Sequence, residues 1–77
     1  MKIIEYDDRI ETLNDKGELH SFNDNPAVKC HFGGYKKWYK DGELHRDNDK
    51  PACIYYNGSM KWYKEGRLYK EDYPTIF

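Results

Sequence analysis

The chain has 77 residues, of which 35% are charged and 38% hydrophobic, and a formal net charge of −1; its mean hydropathy is −1.15. Thirteen Lys and Arg against fourteen Asp and Glu leave neither the basic surplus of a sequence-independent duplex-DNA binder nor the acidic surplus of a DNA mimic, and no apolar run is long enough to span a bilayer. This length makes a single domain, 1–77, which buries only about 60% of its unfolded surface.

The opening Met1-Lys2-Ile3-Ile4-Glu5-Tyr6 turns charged before a signal-peptide core can form, so the chain is expected in the cytoplasm in its mature form. Residues 1–12 read as divergent N-terminal strands. A repeat then begins. Leu13-Asn14-Asp15-Lys16-Gly17-Glu18-Leu19-His20-Ser21 returns as Trp38-Tyr39-Lys40-Asp41-Gly42-Glu43-Leu44-His45-Arg46, and again as Trp62-Tyr63-Lys64-Glu65-Gly66-Arg67-Leu68-Tyr69-Lys70. Each copy runs on to an acidic residue and a proline: Asp24-Asn25-Pro26, Asp49-Lys50-Pro51 and Asp72-Tyr73-Pro74. The units span about 13–37, 38–61 and 62–77, roughly two and a half copies.

Asp41-Gly42 and Asn57-Gly58 predict two-residue hairpin turns of type I′, with Lys16-Gly17, Gly33-Gly34 and Glu65-Gly66 as weaker versions. Residues 45–50 lack alternation and predict a loop closed by Pro51. Two-residue turns pair Lys40 with Glu43, Tyr39 with Leu44 and Trp38 with His45; the next unit pairs Tyr63 with Leu68 and Trp62 with Tyr69. Opposed residues share a face and neighbours alternate, so both faces carry aromatics. The expected fold is all-β, an antiparallel meander forming a single-layer or curved sheet. Cys30 and Cys53 read as reduced thiols, since a small secreted scaffold carries more cysteines.

The chemistry-bearing residues read mostly as structure. His20 and His45 sit at a repeat position that also takes Tyr69, which a metal ligand or catalytic base would not tolerate. Cys30, His31 and Cys53 match no common zinc spacing. Asp24 and Asp49 recur one unit apart and read as turn residues. No nucleophile motif or phosphate loop occurs. The chain is therefore expected to be no enzyme, with no catalytic residue, no metal and no cofactor. Tyr35-Lys36-Lys37-Trp38-Tyr39-Lys40 and Lys61-Trp62-Tyr63-Lys64 interleave rings with ammonium groups, a pattern that can stack bases and meet phosphates or can be strand with solvated lysines.

The string W-Y-x-[D/E]-G-x-L-H-R, followed by D-x-P-A and a second N-G, resembles the tandem repeat of bacteriophage and giant-virus proteins and is similar in design to a variant MORN repeat. The match runs from Leu13 to about Thr75 and is best over Trp38 to Lys70. It departs at Asn25, Lys50 and Tyr73, where the family has glycine, and the His-Arg pair is intact only at His45-Arg46. The resemblance implies MORN-like antiparallel β-hairpin units and a viral origin, and carries no chemistry.

The functional expectation is a small non-enzymatic viral interaction protein that occupies a host protein in the host cytoplasm, with a bacterial defence component as the concrete target. Its partner-contacting residues are expected at Tyr35, Trp38, His45, Tyr55, Trp62 and Tyr69, because Trp and Tyr anchor interfaces. A homodimer through an edge strand or an aromatic face is a further expectation; no membrane partner is expected. The alternative is a binder of a nucleotide signal or single-stranded nucleic acid through the Trp/Tyr/Lys surface.

Overall fold

A computed structural model describes residues 1–74. The described chain is all-β and antiparallel, with nine short strands: β1 (Lys2–Glu5), β2 (Arg9–Leu13), β3 (Val28–Cys30), β4 (Lys36–Lys37), β5 (Tyr39–Lys40), β6 (Glu43–Leu44), β7 (Cys53–Ile54), β8 (Met60–Lys64) and β9 (Arg67–Asp72). Seven of them form one open sheet in the order β1-β2-β3-β4-β7-β8-β9, and β5-β6 is a separate hairpin. The body measures 44 × 28 × 17 Å, a thin slab. Among the described residues no helix is long and apolar enough to cross a membrane.

Turn chemistry sets the hairpins. Asp41 and Gly42 both take positive φ (47° and 87°), as do Glu65 and Gly66 (52° and 81°). These are the two-residue turns the sequence predicts, and they produce the pairs Tyr39↔Leu44 and Lys40↔Glu43 and Tyr63↔Leu68 and Lys64↔Arg67. Three expected turns differ. Gly33 and Gly34 both take positive φ, but the register Lys29↔Lys36 and the Cys30 amide donating to the Tyr35 carbonyl make a four-residue loop, His31 to Gly34, in place of a two-residue turn. At Lys16-Gly17 and Asn57-Gly58 only the glycine has positive φ, and its amide donates to the carbonyl three residues back, Asn14 and Tyr55 respectively. Each is a longer loop in which a tight turn ends on a left-handed glycine. Side chains favour that choice: Asn14 Oδ1 accepts from the amides of Lys16 and Glu18, and Asn57 Oδ1 accepts from the Ser59 amide and hydroxyl.

A further difference lies in β9. Beyond Tyr63↔Leu68 the register slips, and Trp62 pairs with Lys70 instead of the expected Tyr69. The bulge ejects Tyr69 from the row and brings the Lys70 ammonium over the Trp62 ring, 4.5 Å from its centroid.

The core lies on one face of the sheet. One residue along from the pairs Val28↔Lys37 and Lys37↔Cys53, the cross-strand row reads Thr12, Ala27, Trp38, Ala52, Trp62 and Lys70. Small and large residues alternate. Ala27 and Ala52 are 0% exposed, Trp38 5% and Trp62 6%. Each indole is roofed by the loop that ends in Pro-Ala. Trp38 Nε1–H donates to the Asp24 carbonyl and Trp62 Nε1–H to the Asp49 carbonyl, both at 3.0 Å. Those carbonyls are aimed by left-handed backbone at Asn23-Asp24 and Asn48-Asp49, a conformation Asn and Asp adopt more readily than most residues. Burying one such ring removes on the order of 200 Å² from water, worth roughly 5 kcal/mol.

The first roof is also held by charge. The Arg46 guanidinium lies 3.7 Å from the Trp38 centroid and donates to both Asp24 oxygens at 3.0 and 3.2 Å; Lys50 Nζ donates to Oδ2 at 3.0 Å. These partners, Arg46 foremost, hold the Asp24 carboxyl down at about 2.

Neighbouring units interlock at their turns. The Asp41 amide donates to His20 Nδ1 at 3.1 Å and the Glu65 amide to His45 Nδ1 at 2.9 Å. The Gly42 and Gly66 amides donate to the carbonyls of Leu19 and Leu44, both at 2.9 Å. His45 is buried, and its Nε2 meets Asp47 Oδ1 at 2.8 Å, so its ring holds one tautomer: Nε2–H donating, Nδ1 accepting. Gly66 is favoured here by its positive φ of 81°, a backbone conformation that L side chains rarely adopt.

Two outcomes follow from this core. Ala52→Leu forces a branched side chain between two indoles and is expected to cost about 1–3 kcal/mol, read as a lowered denaturation midpoint by tryptophan emission. The depressed Asp24 carboxyl contributes stability above its unfolded value of about 3.9, and that contribution disappears as pH falls towards about 2. Denaturant midpoints measured across this acid range are expected to decline for the wild type and to flatten in Asp24→Asn.

Candidate functional site

The opposite face of the sheet has no layer packed on it among the described residues. Its central row runs across six strands: Glu11, Val28, Lys37, Cys53, Lys61 and Glu71. Alternation places Tyr35 and Tyr39 on either side of Lys37, Tyr55 beside Cys53, Tyr63 beside Lys61 and Tyr73 beside Glu71. Two lysines thus stand inside a frame of tyrosines, with a carboxylate at each end of the row.

The lysines lean on the rings. Lys37 Nζ lies 5.2 Å from the Tyr35 centroid and Lys61 Nζ 5.9 Å from that of Tyr55, within cation–π range. Lys61 also reaches Glu71 at 3.8 Å. Arg9, on the same face, is engaged by the 2.8 Å pair to Glu11 and sits 4.1 Å from the Tyr6 centroid. Beneath the frame Cys53 is buried. Burial raises its thiol pKa, and burial together with that thiol pushes the Tyr55 phenol up to about 12. Burial first, then Cys53, raises Tyr39 as well. Both cysteines are free.

At one rim Tyr35, Tyr55, Tyr56, Tyr73 and Lys61 line a shallow groove of about 510 Å³. The rim carries exposed rings on successive loops, with Phe32 72% and Tyr56 81% exposed. Gly34 lets two of these loops meet: a Cβ there would lie 3.4 Å from the Tyr56 Cβ.

Of the six residues marked in the sequence, the fold brings Tyr35 and Tyr55 together in this groove. Trp38, His45 and Trp62 lie buried on the far side, where the indoles roof the core and the imidazole accepts the next turn. Tyr69, at the bulge, is half exposed and its hydroxyl donates to Asp49 Oδ1 at 3.3 Å. The far side has its own cleft of about 410 Å³, which includes His20, Asp24, Trp38, His45, Arg46 and Lys50. Its guanidinium is spent internally: Nε and Nη2 on Asp24, Nη1 on the Pro51 carbonyl. The additional members of the open face are Tyr39, Tyr63, Tyr73, Lys37 and Lys61. Alternation from Tyr35 through Lys37 to Tyr39, and from Lys61 to Tyr63, is the signal that locates them. Among the described residues no group of three or more His, Cys, Asp and Glu side chains is arranged to hold a metal.

No family model matches the chain, and no solved structure matches it. It is similar to an uncharacterized protein of Acanthamoeba polyphaga mimivirus, 48% identical over 45 residues. That match covers 58% of this chain and 12% of the mimivirus protein, so the likeness is to a small segment of a much longer chain.

The shielding of Tyr55 has a measurable consequence. A phenol with a raised folded pKa stabilises the fold below its ordinary value of about 10 and loses that contribution as pH climbs through about 12. Stability is expected to fall over this alkaline range, and to fall less in Tyr55→Phe, as followed by denaturant midpoints beside phenolate absorbance.

Proposed function

We propose that the chain is a non-enzymatic interaction protein whose tyrosine face docks on a protein of the host cell. The observation that carries this reading is the division of the sheet. The tryptophans are used up in the core, while the five tyrosines of the opposite face remain uncovered and the rim beside them carries exposed rings. Tyrosine offers large contact area at low entropic cost and anchors interfaces. The lysines and carboxylates of the same face come close to cancelling, which suits a protein surface better than a polyanion. A viral setting is supported by the giant-virus likeness; the narrower target, a bacterial defence component, draws no support from it.

A second reading has one observation behind it. The Lys37–Tyr35 and Lys61–Tyr55 couples set a cation beside a stacking ring twice, the arrangement used to bind single-stranded nucleic acid or a nucleotide.

The two part under salt and nuclease. Affinity capture from host-cell lysate by the immobilised chain is expected to retain a protein in moderate salt and after nuclease treatment. The double variant Tyr35→Ala, Tyr55→Ala, checked for fold by circular dichroism and tryptophan emission, is expected to lose it. Retention that vanishes with nuclease, or that falls steeply with salt, supports the nucleic-acid reading instead.

A further inference from the structure

The charge pattern of the tyrosine face defines what can lie on it. Across the row the side chains read acidic, apolar, basic, apolar, basic, acidic: Glu11, Val28, Lys37, Cys53, Lys61, Glu71. Lys37 and Lys61 are separated by two strand spacings, about 10 Å. Among the described residues no carboxylate pairs with Lys37, and Lys61 has only the long 3.8 Å contact to Glu71. The central strip is therefore a two-charge anion receptor, closed on both sides by carboxylates.

That closure selects the occupant. A phosphate backbone crossing the sheet would meet Glu11 or Glu71 as soon as it left the lysines. A second copy fares no better. The row ends in a carboxylate on both sides, so laying another row on it in register by either in-plane twofold sets carboxylate on carboxylate, and the twofold along the row also sets lysine on lysine, which is destabilising. A protein segment with two local negative charges and apolar side chains around them meets neither obstacle.

We propose that the tyrosine face receives an acidic segment of its partner, two carboxylates seated on Lys37 and Lys61 and apolar side chains lying among Tyr35, Tyr39, Tyr55 and Tyr63. In a polyproline II segment, which returns to the same side every three residues and advances about 3.1 Å per residue, two acids three residues apart stand about 9 Å apart on one side. This rests on the protein-partner reading above and names the chemistry of that partner.

Fluorescence anisotropy with short synthetic peptides tests it on the full chain. One peptide carries Glu-x-x-Glu with leucine and phenylalanine at the remaining positions, a second has Gln in place of both Glu, a third has Lys in their place, and the fourth probe is oligodeoxythymidylate. The Glu peptide is expected to bind about tenfold more tightly than the Gln peptide, the yield of two partly exposed ion pairs. Lys37→Gln is expected to remove several-fold of that preference, and Lys37→Glu to shift preference towards the Lys peptide. Equal binding of the Glu and Gln peptides overturns the proposal, as does tighter binding of oligodeoxythymidylate than of the Glu peptide. Lysate capture separates the two levels. If the tyrosine double variant loses the partner while Lys37→Glu keeps it, the acidic-segment proposal falls and the protein-partner reading stands. If both variants keep it, both fall.

Discussion

Everything in this fold depends on how a sheet one layer thick keeps an indole dry. A single layer has no second sheet to bury its apolar side chains against. Here each repeat covers the next: its loop folds over the tryptophan of the following unit and presents a backbone carbonyl to the indole N–H. The cover closes because alanine flanks each ring on the neighbouring strands, leaving the loop room to descend. Proline starts that return and alanine completes it, which gives the Pro26-Ala27 and Pro51-Ala52 pairs a packing reason. The buried polar atom and the buried apolar surface are satisfied together, so neither can be removed without exposing the other.

Repetition extends this arrangement by a second device, the interlocked turns. A tight glycine turn frees two amides that cannot be satisfied within the hairpin, and the preceding unit accepts both, one on a leucine carbonyl and one on a histidine ring. The same residue that ends one hairpin thereby sets the position of the next. At the last unit the histidine is replaced by Tyr69. A phenol has no ring-nitrogen acceptor to aim at a following turn, and this one turns to Asp49 instead. At the first unit Asn14 closes its own loop and reaches Asp41 Oδ1 at 3.1 Å. The two ends of the described stack are thus chemically unlike its middle, as terminal repeats generally are.

Much of the backbone was legible because glycine turns and alternation are local. Asp41-Gly42 and Glu65-Gly66 determine φ at two residues, and the strand pairs follow by counting. The misreadings share a cause: a side chain acting across a short distance overrode the dipeptide rule. Asn57 captures the amide and hydroxyl of Ser59, so Asn57-Gly58 becomes a longer loop. The bulge at Tyr69 shifts Lys70 onto Trp62, an arrangement no pair count contains. Alternation did place Trp38 and Tyr39 on opposite faces. Which face the chain would cover was not legible, because the covering loops are held by their own carbonyls and by the Arg46–Asp24–Lys50 cluster, contacts between positions 13 to 26 residues apart. Once that cover is known, the candidate site passes from tryptophan to tyrosine.

The composition of the uncovered face suits the proposed docking role. A bare stripe of tryptophan or leucine would drive indiscriminate association, whereas tyrosine keeps a hydrated hydroxyl and half-buries its ring against its neighbours. The sheet's edge at β9 is ill suited to recruit a partner, because it is bulged and carries Arg67, Lys70, Glu71 and Asp72, features that oppose strand addition. Under the proposed docking role, association is thereby turned away from that backbone edge and onto the flat of the sheet, where recognition runs through side chains. A surface read through side chains can be changed residue by residue without disturbing the hydrogen bonds that hold the stack. The tryptophan face and the interlocked turns preserve the scaffold, and on the proposed reading the tyrosine face is the side on which sequence is free to follow a partner.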